Sequence, residues 1–302
     1  MKFIIYTYPY DENVGGIIVL HKLGHLLSQL GYDVLLWHPV NTYVHGFYGR
    51  LKFFERKIRY WIKQKEIVKS TVDPSPYNLP VAQSGDIDKN DIVIYPEVVS
   101  GNPLGLTNVV RWLLYIPGAH TGKIKFSDSD LFFYYLNEYD YPVMNKFREN
   151  KLYVVEYFDK IYKQKNFGDR SGSCFMVRKG KDRILNAHPV DAIQVDGKSH
   201  KELAEIFNRC EYFYSYDLYT MYSTYASLCG CKSIILPKEG LSKDEWLSPD
   251  EARYGMAYGF DDIQYALDTR DKLIERIKLA EEDNLNSVRF FIKRCQEYFS
   301  EH

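Results

Sequence analysis

The 302-residue sequence lacks the features that mark several large classes of protein. It has five cysteines and no CxxC pair, so we expect neither a disulfide framework nor a zinc site. It has no run of about 18 apolar residues, which argues against a membrane-spanning helix. It also lacks a charge excess, since 39 Lys and Arg face 40 Asp and Glu. Because binding to nucleic-acid phosphates needs a basic excess, we expect no nucleic acid as a partner.

The N-terminus and the composition indicate a cytoplasmic globular protein. The segment MKFIIYTYPYDEN has a short apolar run, but Pro9 and two acids follow it without a small-residue cleavage site. We therefore interpret it as a first strand rather than a signal peptide. Hydrophobic residues make up 45% and charged residues 26%, as in folded domains. Tyrosine is unusually frequent, with 27 residues, and its ring and hydroxyl suit both protein cores and sugar-like ligands.

Alternating apolar strands and amphipathic helices predict an α/β fold with parallel sheets. A strand over residues 2–8 precedes a polar loop over 11–16, a helix over 17–30 and a strand over 33–37. Further strands are predicted over residues 91–95, 109–116, 130–136, 173–177, 192–195, 212–216 and 233–236. Such continuously apolar strands imply sheets that are covered on both faces. The length suits two such domains, with a boundary near residues 145–170.

The most specific pattern is EYFYSYDLYTMYSTYASLCGCKSIILP, residues 211–237. It predicts a strand, a turn at Asp217, a helix with Thr220, Ser223 and Thr224 in its first turns, and a second strand. The N–H groups at a helix start and nearby hydroxyls bind phosphate, and Asp217 can accept hydrogen bonds from ribose. The alternative is an ordinary N-cap Asp with Ser and Thr bonded to the backbone.

The order strand, acid, helix, alanine, small residue, glycine, hydrophobic strand and proline resembles the C-terminal domain of GT-B glycosyltransferases. Many retaining members carry an acid, seven residues and a second acid followed by alanine. Asp217 matches the first acid, whereas Tyr225, followed by Ala226, stands at the second. The role of that second carboxylate at the donor ribose is therefore not carried over. The block is more similar to the subgroup of bacterial surface-polysaccharide clusters than to the two-acid group.

A basic turn, VRKGKDR, ends the strand predicted over residues 173–177. GT-B enzymes often have an Arg there and a Lys a few residues later, so the resemblance implies that Arg178, Lys179 and Lys181 face the donor diphosphate. Breaking a sugar–phosphate bond leaves charge on the nucleoside diphosphate, and fixed cations and helix amides can stabilise it without a metal. A solvated basic turn is the alternative.

The resemblance extends to the N-terminal half. The loop over residues 11–16 ends in Gly15 and Gly16, where GT-B enzymes often let the backbone approach the donor phosphate or the acceptor; an ordinary tight turn is the alternative. Glu97, in YPEVVSGNP, follows a strand end and is a candidate catalytic base if the enzyme inverts. His120, in PGAHTG, is a candidate contact to the transferred sugar or else a surface group.

Two further motifs bear on metals and membranes. Asp128-Ser129-Asp130 has the DxD form of the metal motif in GT-A glycosyltransferases, but we interpret it as a loop and turn and expect no metal and no cofactor apart from the donor. Residues 50–69 carry eight Lys or Arg and two Glu, interleaved with aromatic residues. They suit an interfacial helix on the anionic inner leaflet, with a surface helix packed on the core as the alternative.

The combined prediction is a GT-B fold of two Rossmann-like domains that face each other across a cleft. Residues 1–155 form the acceptor-side domain, 156–275 the nucleotide-sugar domain, and 276–302 a helix that packs back on the first. The expected activity is sugar transfer from a nucleotide-diphosphate donor to a growing surface glycan or lipid-linked acceptor, with retention favoured by the resemblance alone. Two alternatives remain: a catalytically silent GT-B-like module that binds a partner enzyme, and a GT-B-like nucleotide-sugar epimerase. A phosphorylase is disfavoured, since no lysine context for a pyridoxal cofactor is evident.

Overall fold

The computed structural model describes residues 1–39, 73, 75–83, 85–183, 186–247 and 250–300. The basic segment 50–69 lies outside the described residues. The chain divides into two compact units: the first unit comprises Met1–Glu156 and Glu282–His302, and the second comprises Tyr157–Glu281. The sequence prediction placed its boundaries after residues 155 and 275.

The first unit contains a five-stranded parallel sheet. Its strands are β1 (Lys2–Tyr6), β2 (Asp33–Trp37), β3 (Ile92–Pro96), β4 (Asn108–Leu113) and β5 (Leu131–Tyr134). They lie in the order β2-β1-β3-β4-β5, and helix α1 (Gly15–Gln29) connects β1 to β2. A 3-10 turn, Asn137–Tyr139, follows β5.

Both faces of the first sheet are covered. Phe3 and Ile5 point into one apolar cluster, which also contains leucines of α1, and Ile4 and Tyr6 point into a second cluster on the opposite face. Because successive side chains of a strand alternate between faces, a strand buried on both sides must be apolar at every position. This is why the strands read as uninterrupted apolar runs in the sequence.

The second unit contains another five-stranded parallel sheet. Its strands are β6 (Ser173–Met176), β7 (Ile193–Gln194), β8 (Tyr212–Ser215), β9 (Lys232–Ile235) and β10 (Met256–Tyr258). Its helices are α2 (His200–Arg209), α3 (Met221–Leu228) and α4 (Lys243–Trp246), and the first part of the long helix α5 (Ile263–Ser300) also belongs to it. Short 3-10 turns are Arg178–Gly180, Asp250–Arg253 and Phe260–Asp262. The strand order is β10-β9-β8-β6-β7.

The two units share one topology. When the strands of each unit are numbered from one to five along the chain, both sheets have the order 2-1-3-4-5. The predicted α/β class, with two Rossmann-like units and a C-terminal helix, is confirmed; the cleft between them stays a prediction. In open parallel sheets of this order, ligands bind outside the carboxyl ends of the strands, at the switch point between the first and third strands. These switch points lie between β1 and β3 and between β6 and β8.

Helix α5 contributes to both units. Leu273 packs in the core of the second unit, whereas Val288 and Phe291 pack in the core of the first. The helix is long, at 38 residues, but it is rich in charged side chains. Within the ranges given above, no helix combines the length and the apolar character needed to cross a membrane.

Candidate functional site

The switch point of the second unit brings the predicted basic turn beside the predicted acid. Met176, the last residue of β6, pairs with Ser215, the last residue of β8. Tyr216, the residue after β8, donates its N–H to the carbonyl of Met176 at 2.9 Å, so the segments that follow the two strands leave the sheet side by side. As a result, Arg178 and Asp217 emerge next to each other at the carboxyl ends of the strands.

The backbone of the basic turn is held by an acid that the sequence analysis did not select. The carboxylate of Asp196, two residues beyond β7, accepts hydrogen bonds from the N–H groups of Val177 at 3.0 Å and Arg178 at 2.8 Å. These two residues directly follow the end of β6, where the chain leaves the sheet. Arg178 itself has a φ of 40°, a left-handed conformation that non-glycine residues seldom adopt.

Gly180 lets the basic turn lie against β8. A β-carbon at this position would overlap the backbone carbonyl of Tyr216, so only glycine permits the observed approach. The N–H of Gly180 donates to the carbonyl of Val177 at 2.7 Å and closes the turn. The close approach holds Arg178, Lys179 and Lys181, the three cations selected from the sequence, beside the end of β8.

The cations of this turn are accessible to solvent. The Nε of Arg178 lies 3.9 Å from Oδ2 of Asp217, and about a third of the Arg178 side chain is exposed (34%). Its guanidinium carbon lies 5.1 Å from the ring centre of Tyr222. Lys179 and Lys181 are exposed. Of the three cations selected from the sequence, Arg178 is thus the one oriented by neighbouring side chains, and all three contribute to a cluster of positive charge.

Asp217 is not the N-cap of α3, a position that Thr220 takes, but it stabilises the turn just before that helix. It is only 3% exposed, and its Oδ1 accepts the N–H of Tyr219 at 3.1 Å, which is a turn-stabilising bond. Its Oδ2 faces Arg178. The carboxylate thus stabilises the turn before α3 and orients a cation, and a contact to ribose or to the sugar stays a prediction.

The hydroxyl residues near Asp217 lie in two different environments. Thr220 is the N-cap of α3, and its hydroxyl accepts the N–H of Tyr222 at 3.3 Å. Ser223 and Thr224 are buried, and the hydroxyl of Thr224 contacts the sulfur of Met256 at 3.8 Å. The phosphate contacts predicted for these three hydroxyls stay a prediction, and the burial of Ser223 and Thr224 gives it no support.

Tyr225, at the position of the second acid in the family pattern, belongs to the core of the second unit. Its ring stacks on Tyr162 with the ring centres 4.2 Å apart and the planes within 5°. Tyr162 also contacts His200 through its hydroxyl, at 2.6 Å from Nδ1. A carboxylate at position 225 would lie within this aromatic stack, where burial of its charge is costly. Tyr225, which stands where the family pattern has an acid, is therefore matched by an aromatic neighbour, Tyr162, that the sequence did not reveal.

The switch point of the first unit carries a carboxylate. Glu97 directly follows β3, and its Oε2 accepts the N–H of Leu114, at the end of β4, at 3.0 Å. Burial raises the pKa of the Glu97 carboxyl, while the backbone bonds and the nearby His120 only partly oppose this effect. A carboxyl group with a raised pKa can take part in proton transfer, and the role of Glu97 as a catalytic base stays a prediction.

His120 lies in the loop that follows β4. Its ring stacks on the ring of Tyr115 with centres 5.0 Å apart, and the other neighbour of Tyr115 is Tyr139, at 5.2 Å. His120 and Tyr115 are both exposed. His120 thus lies on an exposed aromatic surface formed with Tyr115, and its contact to the transferred sugar stays a prediction.

The glycine pair of the first unit lies at the start of α1. The helix begins at Gly15, and Val14 before it provides no capping side chain. A β-carbon at Gly15 would meet open space, and one at Gly16 would lie 3.7 Å from Leu114, an ordinary contact. Neither glycine has a positive φ. Local geometry and packing therefore do not require glycine here, and the uncapped helix start remains open to an approaching ligand.

A buried polar cluster in the first unit was missed by the sequence analysis. The Nε2 atoms of His21 and His38 each lie 3.4 Å from one oxygen of Asp73, which is 1% exposed. Each histidine donates from Nδ1 to a backbone carbonyl, of Ile17 and Thr7 respectively, at 2.8 Å. Burial raises the pKa of Asp73, but the two histidines outweigh that effect and hold it well below its usual range. No spacing in the sequence links these residues, since they meet only through the fold.

The DxD motif takes part in structure. Asp130 is buried, and its Oδ2 accepts from Nε of Arg111 at 2.7 Å and from the N–H of Ser127 at 3.0 Å. Across the described part of the chain, no group of three or more His, Cys, Asp or Glu is arranged to hold a metal ion. The expectation of metal independence stays a prediction.

No protein-family model matches the chain, and no curated protein matches it. Several solved glycosyltransferases are similar to it. An α-glucosyltransferase in complex with UDP and a 13-mer DNA is 12% identical with a TM-score of 0.49, over 99% of both chains. T4 phage BGT in complex with UDP-glucose is 10% identical with a TM-score of 0.42, over 100% of this chain and 98% of that one. Sucrose-phosphate synthase from Thermosynechococcus elongatus is 11% identical with a TM-score of 0.43, over 99% and 94%. Likenesses at this level carry no argument about substrate or site.

One expectation is corrected by these structures. The exclusion of nucleic acid as a partner, drawn from the net charge of −1, is wrong: a charge sum does not exclude a local basic surface, and α-glucosyltransferases to which the chain is similar are complexed with DNA. Net charge is a sum over the whole chain, whereas phosphate binding depends on the local field. A chain with a net charge of −1 can still present a local basic surface, and the turn after β6 is such a surface.

Proposed function

We propose that this chain is a metal-independent glycosyltransferase of the GT-B type, which binds a nucleotide-diphosphate sugar at the switch point of its second unit. The observation that carries the proposal is the exposed basic turn at that point, with Arg178 oriented by Asp217 and Tyr222. The resemblance of residues 211–237 to the C-terminal domain of GT-B enzymes supports it.

The turn supplies the charge that the reaction needs. When the bond between the sugar and the diphosphate breaks, negative charge develops on the leaving phosphate. Arg178 is suited to phosphate because its planar guanidinium donates two parallel hydrogen bonds, and Lys179 and Lys181 add point charges. Since the backbone of the turn places these cations together and Arg178 is oriented by Asp217 and Tyr222, they can replace the divalent ion that other glycosyltransferases use.

The first unit supplies the acceptor chemistry. We propose that Glu97 accepts the proton of the attacking hydroxyl, because its raised pKa makes it a stronger base than an ordinary carboxylate. His120 and its stacked partner Tyr115 would contact the sugar. A base at this position is what an inverting transfer requires, so the geometry favours inversion over the retention that the resemblance favoured.

The acceptor class rests on the resemblance. We propose a growing surface glycan or a lipid-linked saccharide, assembled on the cytoplasmic side of the membrane. An acceptor screen would include saccharides, lipid-linked saccharides and nucleic acids with free hydroxyls.

Binding and turnover test the proposal separately. Calorimetry with UDP, GDP and dTDP in EDTA should show that the wild type binds at least one of them without metal. Incubation with the corresponding sugar nucleotides and acceptors should then release that nucleoside diphosphate, and the product anomer reports inversion or retention. Binding without any turnover would support a silent module, and conversion of the donor without an acceptor would support an epimerase. If the protein binds none of the three nucleotides, the proposal is contradicted.

A further inference from the structure

The backbone of Arg178 is in a conformation that arginine rarely adopts. Its φ of 40° lies in the left-handed region, and among the described non-glycine residues only Asn78 and Phe158 also have a positive φ. In this region the β-carbon of an L residue approaches its own carbonyl, so the conformation is unfavourable unless the surroundings hold it. Glycine would adopt it freely, yet the glycine of this turn stands two residues later, at position 180.

Asp196 provides the contacts that hold this conformation. Its carboxylate accepts hydrogen bonds from the N–H of Val177 at 3.0 Å and from the N–H of Arg178 at 2.8 Å. The side chain of Gln194 donates to the same carboxylate at 3.2 Å. Hydrogen bonds to an ionised acceptor are stronger than neutral ones. Two of them on consecutive amides fix the direction in which the chain leaves β6.

The direction of the backbone determines where the guanidinium lies. In the observed conformation, Nε of Arg178 is 3.9 Å from Asp217 and its guanidinium carbon is 5.1 Å from the ring centre of Tyr222. A return of φ to its ordinary negative range would turn the bond from Cα to Cβ away from both neighbours. The side chain would then be free to move in solvent, and a donor would have to order it on binding.

We infer that Asp196 is a positioning residue, which holds Arg178 in the conformation that binds the donor diphosphate. This inference rests on the function proposed above. Asp196 does not contact the diphosphate itself, since a carboxylate beside a phosphate would repel it. Its oxygens are occupied by the amides of the turn, and its effect on the ligand passes through Arg178.

A cycle of binding measurements separates positioning from direct contact. Calorimetry in EDTA with UDP, GDP and dTDP as probes would use the full-length wild type, Asp196→Asn, Arg178→Ala and the double variant. Asparagine keeps the shape of the side chain but loses its charge and places an N–H donor against the amides. We expect Asp196→Asn to raise the Kd about tenfold, and the double variant to bind no more weakly than Arg178→Ala alone.

The outcomes that overturn the inference are specific. An unchanged Kd in Asp196→Asn would leave it with a structural role only. If the increases in Kd caused by the two single substitutions multiply in the double variant, Asp196 acts on the ligand independently of Arg178. The matched control is Asp86→Asn in the first unit, where the carboxylate also accepts a backbone N–H, from Gln83 at 2.7 Å. It should leave the Kd unchanged.

A second cycle needs no ligand. Because glycine adopts a positive φ without strain, Arg178→Gly removes the need for Asp196 to hold the backbone. We expect the drop in Tm caused by Asp196→Asn to be at least halved in the Arg178→Gly background. Equal drops in both backgrounds would contradict the inference. If the wild type binds none of the three nucleotides, the proposed function fails, and this cycle alone decides whether Asp196 holds the Arg178 backbone.

Discussion

The switch points of the two units share a strand order and differ in chemistry. In the second unit the first strand ends in an exposed basic turn, held by Asp196 and Gly180. In the first unit the first strand leads to an uncapped helix start with two unconstrained glycines, and the third strand ends in the buried carboxyl of Glu97. One topology therefore carries a cluster of exposed cations at the strand ends of one unit and a buried carboxyl group at those of the other. The comparison teaches that the strand order selects the place of a site, while the few residues after each strand select its chemistry.

The largest effect expected from this difference is on turnover. Glu97→Gln removes the proton acceptor but keeps the bond from the N–H of Leu114, since the amide oxygen can still accept it. We expect kcat to fall by about 10²- to 10⁴-fold, the contribution of a general base. The Kd for the nucleoside diphosphate should not change. Glu138→Gln, at an exposed acid of the same unit, is the control. A Glu97→Gln enzyme with normal kcat would remove the base from the first unit.

Stability gives the next contrast, because the first unit contains the fully buried cluster of Asp73 and two histidines, whereas Asp217 of the second unit faces a partly exposed arginine. Asp73→Ala leaves two buried histidines without their carboxylate and should reduce the free energy of unfolding by about 3–5 kcal/mol. Since the pKa of Asp73 is lowered by folding, its stabilisation is present above about pH 4 and is lost as pH falls below that value.

Urea unfolding of the wild type and Asp73→Ala at several pH values checks both statements. The difference between the two proteins should be largest near neutral pH and shrink in acid. A loss of under 1 kcal/mol at neutral pH, or a difference that grows in acid, would show that the cluster does not act as described.

Nucleotide affinity should depend on the second unit. Arg178→Ala should weaken binding of the nucleoside diphosphate by about 1.5–3 kcal/mol, the range for a hydrogen bond to a charged group. Arg209→Ala, at an exposed arginine at the end of α2, should leave the affinity unchanged. Calorimetry in EDTA measures both. Equal affinities of the Arg178→Ala variant and the wild type would remove Arg178 from the site.

The glycines give the smallest and most direct contrast between the units. Gly180→Ala places a β-carbon against the carbonyl of Tyr216 and should cost about 1–3 kcal/mol of stability, as overpacking does. Gly15→Ala enters open space at a helix start and should be neutral or slightly stabilising. Thermal unfolding of the two variants is the measurement. If Gly15→Ala destabilises the protein as much as Gly180→Ala does, the first glycine is structural after all.

Sequence pattern revealed the features that depend on neighbouring residues along the chain. The apolar strands, the α/β class and the residues that follow each strand can be read from periodicity and punctuation, which is why Arg178, Asp217 and Glu97 were selected correctly as residues at strand ends. Whether they bind or catalyse stays a prediction.

The features that the sequence did not reveal depend on contacts between distant residues. Asp196 lies 18 residues from Arg178 and reaches it only because β7 pairs with β6. The cluster around Asp73 joins three separate segments of the first unit. Ser223 and Thr224 are buried because α3 is enclosed on nearly all sides, with only Met221 of its eight residues exposed. A helix that is buried all round has no polar face, so its sequence pattern does not show which hydroxyls are accessible.

The location of a bound nucleoside diphosphate tests the central claim most directly. A crystal structure of the protein with the nucleotide that binds most tightly in the calorimetric screen would show which switch point it occupies. The account expects the diphosphate within hydrogen-bonding distance of Arg178, at the carboxyl ends of β6 and β8. A diphosphate at the start of α1 beside Gly15, with no contact to the basic turn, would contradict it.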